Sequence, residues 1–294
     1  MASSERCMKG DLSDFAVQMK KLVNSKEHSD LKFLLGSNRK TVYAHRCILS
    51  SRCAVFKAMF AEQNQNSKNS GPDKDVPLVL SDMSPDIFLT MLEFIYTNCV
   101  HLSSKNAIDV LATALEYGLD DLKKLCSQYL IENLTVGNAC DVLQAAVTYG
   151  QDDLKNKTVE FIEQNTVNVF KSKGFQEIGE EAMSAVLSSH LLQMDEMDLY
   201  RAVKEWATVN SVVMGKPVAD IGKSVVKSIR LPLLSPEELS TLETENKKDG
   251  FIPVDSFSQA WRFHALKHPE KGNQLTQKRR GTNTRDCHKY LESK

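Results

Sequence analysis

The sequence predicts an α+β protein, in which a small mixed sheet with a helical shell is followed by an all-helical domain. Two short segments rich in β-prone residues, DLKFLLG (30–36) and TVYAH (41–45), flank a polar Ser-Asn-Arg-Lys turn and predict a hairpin. Later segments place apolar residues at helical spacing. A helix–turn–helix string that occurs twice marks the transition between the two regions.

The other elements of the first region are also indicated by local patterns. RCILSSRCAVFKAMF (46–60) has helical spacing, and the polar segment QNQNSKNSGPDKD (63–75) predicts a mobile loop. VPLVLSDM supplies a further strand. The helix after it is predicted to begin with Ser84 as its N-cap and Pro85 at its first position.

The duplicated string is NAIDVLATALEYGLDDLK (106–123), followed by NACDVLQAAVTYGQDDLK (138–155), with 12 of 18 positions identical. Each copy reads as a helix, a Tyr-Gly turn and a second helix. A weaker helical stretch, LLQMDEMDLYRAVKEWA (191–207), lacks the turn. Because a solenoid needs about three or more copies, two copies favour stacked helical hairpins inside a larger fold.

The shared turn has a structural explanation for each of its residues. Gly118 and Gly150 stand where a left-handed residue ends a helix, and Asp120 and Asp152 stand where a side-chain oxygen caps the next one. A capping role for these acids is therefore favoured over catalysis.

Length, composition and charge leave room for two domains but predict no charged ligand. The chain has 294 residues, 41% apolar and 26% charged, with a net charge of −1. No whole-chain field predicts binding to nucleic acid or a membrane surface. The N-terminus lacks a signal-peptide pattern and no apolar run of about 18 residues follows, which predicts an intracellular protein of cytoplasm or nucleus. Seven cysteines without a C-x-x-C pair predict buried, reduced thiols.

The usual catalytic and cofactor motifs are absent from the sequence. There is no P-loop, dinucleotide-binding turn, nucleophile elbow or zincin helix, so no catalytic residue, cofactor or small-molecule substrate is predicted. His264 and His268 have the H-x-x-x-H spacing of some zinc sites, but no paired cysteines stand upstream. Structural histidines are therefore favoured, and no metal is predicted.

The last 28 residues, 267–294, are basic, with eight Lys and Arg residues against three acids. A solvated tail is the favoured interpretation. The alternative is a weak role in binding an acidic partner or in localisation.

Two sets of segments carry a resemblance to known domains. SDLKFLL, VYAHRCILSSRCAVFKAMF and FLTMLEFIYTN resemble the BTB/POZ domain, while LLQMDEMDLYRAVKEWA, IRLPLLSPEEL and FSQAWRFHALKHPEKGN are similar to the BACK domain that follows it in kelch-type adaptors. The implied organisation is a flexible N-terminus (1–10), a BTB/POZ domain (11–132), a BACK domain (133–266) with 3-box helices at about 138–165, and a basic tail (267–294). The two copies of the repeat then close the first domain and open the second.

The resemblance implies a homodimer. Phe15, Met19 and Leu22 lie on one predicted helical face and would supply apolar dimer contacts, with packing inside one chain as the alternative. In the family, the residues that correspond to Asp30 and Arg46 line a charged pocket at the dimer interface. Their role here is predicted to be structural, as a buried ion pair.

The resemblance also implies adaptor work in which the BTB domain and the 3-box hold cullin-3 while another surface brings a client for ubiquitination. The predicted cullin-3 surface comprises Phe60, Glu62, Asn64, Asn66, Tyr96, Leu154 and Phe161. However, Asn64-Gln65-Asn66 occupies the place of the usual hydrophobic-x-Glu element. Phe60-Ala61-Glu62 fits the letters one turn early, where Phe60 is better explained as core. The alternative is a scaffold outside the ubiquitin system, and the client is not named by the sequence in either case.

Overall fold

The computed structural model describes residues 10–66, 77–266 and 273–291. The chain divides into two compact units, Met1–Asn133 and Leu134–Lys294, called the N-terminal and C-terminal units below. The predicted flexible N-terminus lies outside the described residues except for its last residue.

The sheet of the N-terminal unit has three strands within the described residues: β1 (Leu31–Leu35), β2 (Lys40–Ala44) and β3 (Leu78–Leu80). The strand order is β2-β1-β3, and β1 is antiparallel to β2 but parallel to β3. In β1 every second side chain is buried, because successive side chains point to opposite faces of a strand. The predicted hairpin and further strand are confirmed as a small mixed sheet.

The described part of the N-terminal unit also contains six helices: α1 (Leu12–Lys20), α2 (Arg46–Arg52), α3 (Ala54–Asn66), α4 (Pro85–Thr97), α5 (Ala107–Glu116) and α6 (Asp120–Glu132). Aromatic rings from β1, α3, α4 and the turn after α5 meet at the centre. The ring of Phe33 lies 4.8 Å from that of Phe88, and Phe56 lies 5.0 Å from Tyr117. These buried rings pack β1, α3 and α4 together.

One predicted boundary in this unit needs correction, and the predicted start of the helix after the third strand is confirmed. The backbone of 63–66 is helical rather than a loop, because α3 continues to Asn66; the rest of the predicted loop, 67–75, lies outside the described residues. Ser84 stands at the N-cap position of α4 with Pro85 at the start, but its side chain makes no capping hydrogen bond.

Each copy of the duplicated string forms a helix–turn–helix, the first as α5 and α6 and the second as α7 (Ala139–Thr148) and α8 (Asp152–Gln164). Gly118 and Gly150 have φ of 64° and 62°, the left-handed conformation that glycine adopts at low cost. The predicted capping role of Asp120 and Asp152 is wrong, because each is already the first residue of its helix. Their carboxylates still stabilise each helix, because a negative charge in the first turn interacts favourably with the helix dipole.

The C-terminal unit continues with seven further α-helices in its described part: α9 (Thr166–Phe170), α10 (Lys173–Glu177), α11 (Glu180–Ser188), α12 (Glu196–Met214), α13 (Val218–Gly222), α14 (Pro236–Asn246) and α15 (Val254–Leu266). Short 3-10 turns cover Val225–Ser228, Leu231–Leu233, Gln274–Thr276 and Asp286–Leu291. The core of the unit forms around α12, whose Leu199, Val203 and Trp206 are all buried. The Trp206 indole N–H also donates to the Ile178 carbonyl at 2.8 Å, so this buried polar group is satisfied.

We expect Gly150→Ala to destabilise the C-terminal unit by about 1–2 kcal/mol, because an alanine pays the cost of the left-handed conformation. No heavy atom lies within 4 Å of the added Cβ, so a steric clash is not part of this cost. Urea unfolding followed by circular dichroism measures the change.

The matched control for this substitution is Gly137→Ala. Gly137 does not have a left-handed φ, and the nearest atom to its added Cβ is 3.9 Å away. The control should leave stability unchanged or raise it slightly, by roughly 0.4–1 kcal/mol. Equal losses in both variants would contradict this account of the turn.

Candidate partner-binding surfaces

The first helix, α1, carries an exposed apolar face. Leu12, Phe15 and Met19 fall at helical spacing i, i+3 and i+7. Leu12 and Phe15 are 70% and 58% exposed, Met19 is half-buried, and α1 contains no buried residue. The other side of the helix packs on α4, with Lys20 Nζ 2.7 Å from a Glu93 carboxylate oxygen. Leu22 does not share the predicted helical face, because α1 ends at Lys20 and Leu22 lies in the following turn.

Asp30 and Arg46 meet through the backbone. The Asp30 carboxylate is exposed and accepts a hydrogen bond from the Arg46 backbone N–H at 2.8 Å. That N–H is one of the donors that a helix start leaves without an intrahelical partner, so Asp30 caps α2 from a distance in sequence. The Arg46 guanidinium lies 4.7 Å above the Phe60 ring and donates to Gln63 Oε1 at 3.0 Å. Within one chain Asp30 thus contacts the backbone of Arg46 rather than its guanidinium, and the predicted charged pair at a dimer interface stays a prediction.

Two residues of the predicted cullin-3 surface are buried in the N-terminal unit. Phe60 stacks on Phe56 with ring centroids 6.0 Å apart, which confirms its interpretation as core. The Tyr96 hydroxyl accepts the His45 backbone N–H at 2.9 Å and lies 2.9 Å from His45 Nδ1. Burial raises the pKa of Tyr96 to about 12. The placement of both side chains on a partner surface is wrong, since each points into the core.

The far end of α3 provides the accessible part of that surface. Glu62 and its neighbour Ala61 are exposed, next to the buried Phe60. Asn64 and Asn66 have helical backbone, but their side chains lie outside the described residues. Glu62 is therefore the residue of this group for which the structure gives an accessible side chain.

In the C-terminal unit, the two remaining residues of the predicted cullin-3 surface, Leu154 and Phe161, both lie on α8. Leu154 is 1% exposed, on the inner side of α8, so its predicted place on a surface is wrong. Phe161 is half-buried and packs on the core of the unit. The accessible side of α8 is instead polar, and comprises Asp152, Asp153, Asn156, Lys157, Glu160 and Gln164.

The cysteine thiols offer no reactive pair at these surfaces. The described cysteines are free, and Cys53, Cys126 and Cys140 are buried. Burial raises the pKa of Cys126 to about 12 and that of Cys140 to about 11, which keeps these two thiols protonated. Cys47 and Cys99 are exposed, so the prediction of buried thiols is wrong for those two.

Comparison with known proteins accounts for both units. The family model of the BTB/POZ domain matches residues 19–134, and the model described as BTB And C-terminal Kelch, or BACK, matches residues 139–243. The chain belongs to the BTB–BACK family. BTB–BACK proteins are a family of protein-interaction adaptors, and the two units are called the BTB and BACK domains from here on.

The resemblance extends over nearly the whole chain. The sequence is 40% identical to human BTB/POZ domain-containing protein 19 and 39% identical to its bovine counterpart, over 96% of each chain. It is also 30% identical to BTB/POZ domain-containing protein 9 of Drosophila melanogaster, over 89% of this chain and 35% of that protein.

Throughout the described residues, no helix is both long and apolar enough to cross a membrane.

The C-terminal segment 273–291 packs on the BACK domain, which sequence reasoning missed. The Arg279 and Glu196 side chains are both 0% exposed, with Nε 2.7 Å from Oε1. Arg279 also donates to the carbonyls of Leu187, Ser189 and Ser228. The prediction of a solvated tail is thus wrong for Arg279, although residues 267–272 and 292–294 lie outside the described part of the chain.

Arg285 forms a second anchor for the same segment. Its guanidinium contacts both oxygens of Asp195, at 3.1 and 2.8 Å, and its Nε lies 2.7 Å from Glu238 Oε2. Burial alone would raise the pKa of Asp195, but hydrogen bonds from Arg285, Asn283 and Met197 outweigh it and lower the pKa. The carboxylate therefore stays charged, as the bidentate contact requires.

We expect Arg279→Met to destabilise the BACK domain by about 3–5 kcal/mol, because it leaves the buried Glu196 carboxylate without its cation. The neighbouring Arg280 is exposed, so Arg280→Met should change stability by no more than about 0.5 kcal/mol. Urea unfolding of the two variants and the parent protein measures the difference. Similar small losses in both would show that the segment is solvated in solution.

Proposed function

We propose that the protein is a homodimeric interaction adaptor, and that α1 forms the contact between its two copies. The observation that supports this proposal is the exposure of Leu12 and Phe15 on the first helix, next to half-buried Met19. Large apolar side chains clustered on one helical face are typical of an interaction site.

A two-fold dimer would place the same face of both copies together, since each surface must complement itself. Burying one Phe or Leu side chain is worth about 1.5–3 kcal/mol, and two-fold symmetry counts each burial twice. The same proposal places the exposed Asp30 carboxylate at the dimer interface, where the second copy would contact it. The dimer would also present two copies of every other surface and so raise avidity for a dimeric client.

The first test replaces Phe15 by Asp and measures molecular mass by sedimentation velocity over a range of concentrations. We expect the parent protein to sediment as a dimer and Phe15→Asp to weaken association at least tenfold, because a carboxylate would be buried without a cation.

Val254→Asp is the matched control, because Val254 is also an exposed apolar residue but lies at the start of α15. The control should remain dimeric. A parent protein that is monomeric at all concentrations would refute the dimer, and equal dissociation of both variants would refute the role of α1.

For the function of this adaptor, we propose the recruitment of a client to a cullin-3 ubiquitin ligase. Family membership supports this proposal, together with the exposed Glu62 at the end of α3 and the polar side of α8. The reaction itself would take place on the ligase partners, so this chain needs no catalytic residue.

A second candidate is a scaffold that does not bind cullin-3. The observation that favours it is Asn64-Gln65-Asn66, which supplies neither the apolar anchor nor the acid of the hydrophobic-x-Glu element. A BTB dimer could then recruit a peptide or regulatory protein through a groove or by strand addition.

Calorimetric titration with the N-terminal region of cullin-3 separates the two candidates. The adaptor predicts submicromolar binding, which Glu62→Lys weakens at least tenfold because it reverses the accessible charge on α3. Leu154→Ala would be a poor probe, since it removes a core side chain and can unfold the hairpin.

Glu27→Lys is the control for this charge reversal, because Glu27 is exposed in the same domain but far along the chain from α3. It should bind as the parent does. No detectable binding by the folded parent protein would instead favour the scaffold.

A further inference from the structure

Three side chains with metal-binding atoms meet beside the end of α15. His264 lies in the last turn of that helix, while Cys287 and His288 lie in the 3-10 turn Asp286–Leu291. One ligand atom from each residue lies within 4.8 Å of the other two. The two imidazole rings stack with centroids 5.1 Å apart and 26° between their planes. The cluster therefore joins two segments that are well separated in sequence.

Backbone carbonyls orient both imidazoles. His264 is hydrogen-bonded to the backbone of Leu234, and His288 to that of Pro232, whose main chain has only a carbonyl to offer. The Nε2 atom of His264 is buried and has no hydrogen-bond partner among the described residues, so its bond to Leu234 uses Nδ1. A ring that donates one N–H to a backbone carbonyl and leaves its other nitrogen available has the arrangement of a metal-bound histidine.

Burial favours the neutral forms of all three side chains, and the positive charges of Arg285 and Lys278 act on His288. Burial lowers the pKa of His264. The Leu234 hydrogen bond and the charge of Glu237 raise this pKa, but they offset only part of the effect of burial. Burial and the charges of His264, Arg285 and Lys278 lower the pKa of His288 to about 4. Metal binds the neutral form of an imidazole. Burial raises the pKa of the Cys287 thiol, so a metal would have to displace its proton.

We propose that His264, Cys287 and His288 form a binding site for a divalent cation of the zinc class. Two imidazole nitrogens and one thiolate suit Zn²⁺ or Co²⁺ rather than Mg²⁺ or Ca²⁺, which prefer oxygen ligands. The fourth position of a tetrahedral site is left to water or another donor. In a tetrahedral site with bond lengths of about 2.0–2.3 Å, the ligand atoms lie roughly 3.3–3.8 Å from one another. Side-chain rotations that move the present ligand atoms by about 1 Å would therefore complete the site.

The sequence did not predict this metal site because its ligands come from two segments that are well separated in sequence. The expected signature was a second pair of ligands at a fixed short spacing, and His268, the other member of the H-x-x-x-H pair, lies outside the described residues. The structure instead supplies the second and third ligands from the adjacent Cys287 and His288, which only the fold brings to His264.

Binding would fasten the end of the C-terminal segment to α15. Arg279 and Arg285 already hold the middle of the segment through ion pairs. A cation that binds the folded arrangement but not the unfolded chain raises stability in proportion to its affinity and concentration.

The test uses untagged full-length protein, stripped with a chelator and kept reduced, and titrated with Co²⁺ as a coloured substitute for Zn²⁺. We expect one equivalent to bind, with a thiolate-to-cobalt charge-transfer band and the strong visible absorption of a tetrahedral site. Zn²⁺ should displace Co²⁺ and raise the melting temperature, whereas Mg²⁺ should do neither.

Substitutions assign the site to these residues. Cys287→Ser should abolish the charge-transfer band, and His264→Gln should weaken binding at least tenfold, while Cys99→Ser, which changes an exposed thiol elsewhere, should bind as the parent does. Circular dichroism verifies that each variant is folded. Absence of the band in the folded parent, or its persistence in Cys287→Ser, would overturn the proposal. Because Cys287→Ser differs by one atom, a folding defect in His264→Gln would not prevent this decision.

Discussion

The burial of the Glu196 carboxylate is the constraint on which the BACK domain depends. A carboxylate removed from water needs a cation and full hydrogen bonding, and here Arg279 supplies the cation while the Arg230 backbone N–H binds the second oxygen at 3.0 Å. Arg279 in turn needs acceptors, and finds them on backbone carbonyls before and after α12. The first residue of α12 is thereby tied to the C-terminal segment. One satisfied buried charge therefore fixes where that segment crosses the start of α12.

Glycine and backbone geometry show how closely the segment fits. The backbone N–H groups of Arg280 and Gly281 each donate to carbonyls of the 190–192 stretch, both at 2.9 Å. A Cβ on Gly281 would lie 2.0 Å from the Met194 nitrogen, so only glycine permits this approach. The segment is held by main-chain hydrogen bonds as well as by its arginines.

Sequence reasoning succeeded where structure is set locally. The duplicated hairpins follow from helical periodicity and from Gly118 and Gly150, which mark the turns without reference to distant residues. It failed where the deciding partner is remote. Glu196 and Arg279 are 83 residues apart, and nothing in the Arg279-Arg280 pair shows which guanidinium is buried. Burial of Tyr96 and Leu154 likewise depends on which side of a helix faces its neighbour, which a motif alone does not specify.

The extent of the docked segment bears on how this family member is divided into fragments. The BACK family model ends at residue 243, but α15, the two arginine anchors and the histidine–cysteine cluster all lie beyond that residue. A fragment cut at the end of the family match would retain Glu196 and Asp195 while losing both of their guanidinium partners. A folding unit of this domain therefore has to include Arg279 and Arg285, and this requirement is set by electrostatics rather than by the helical repeat.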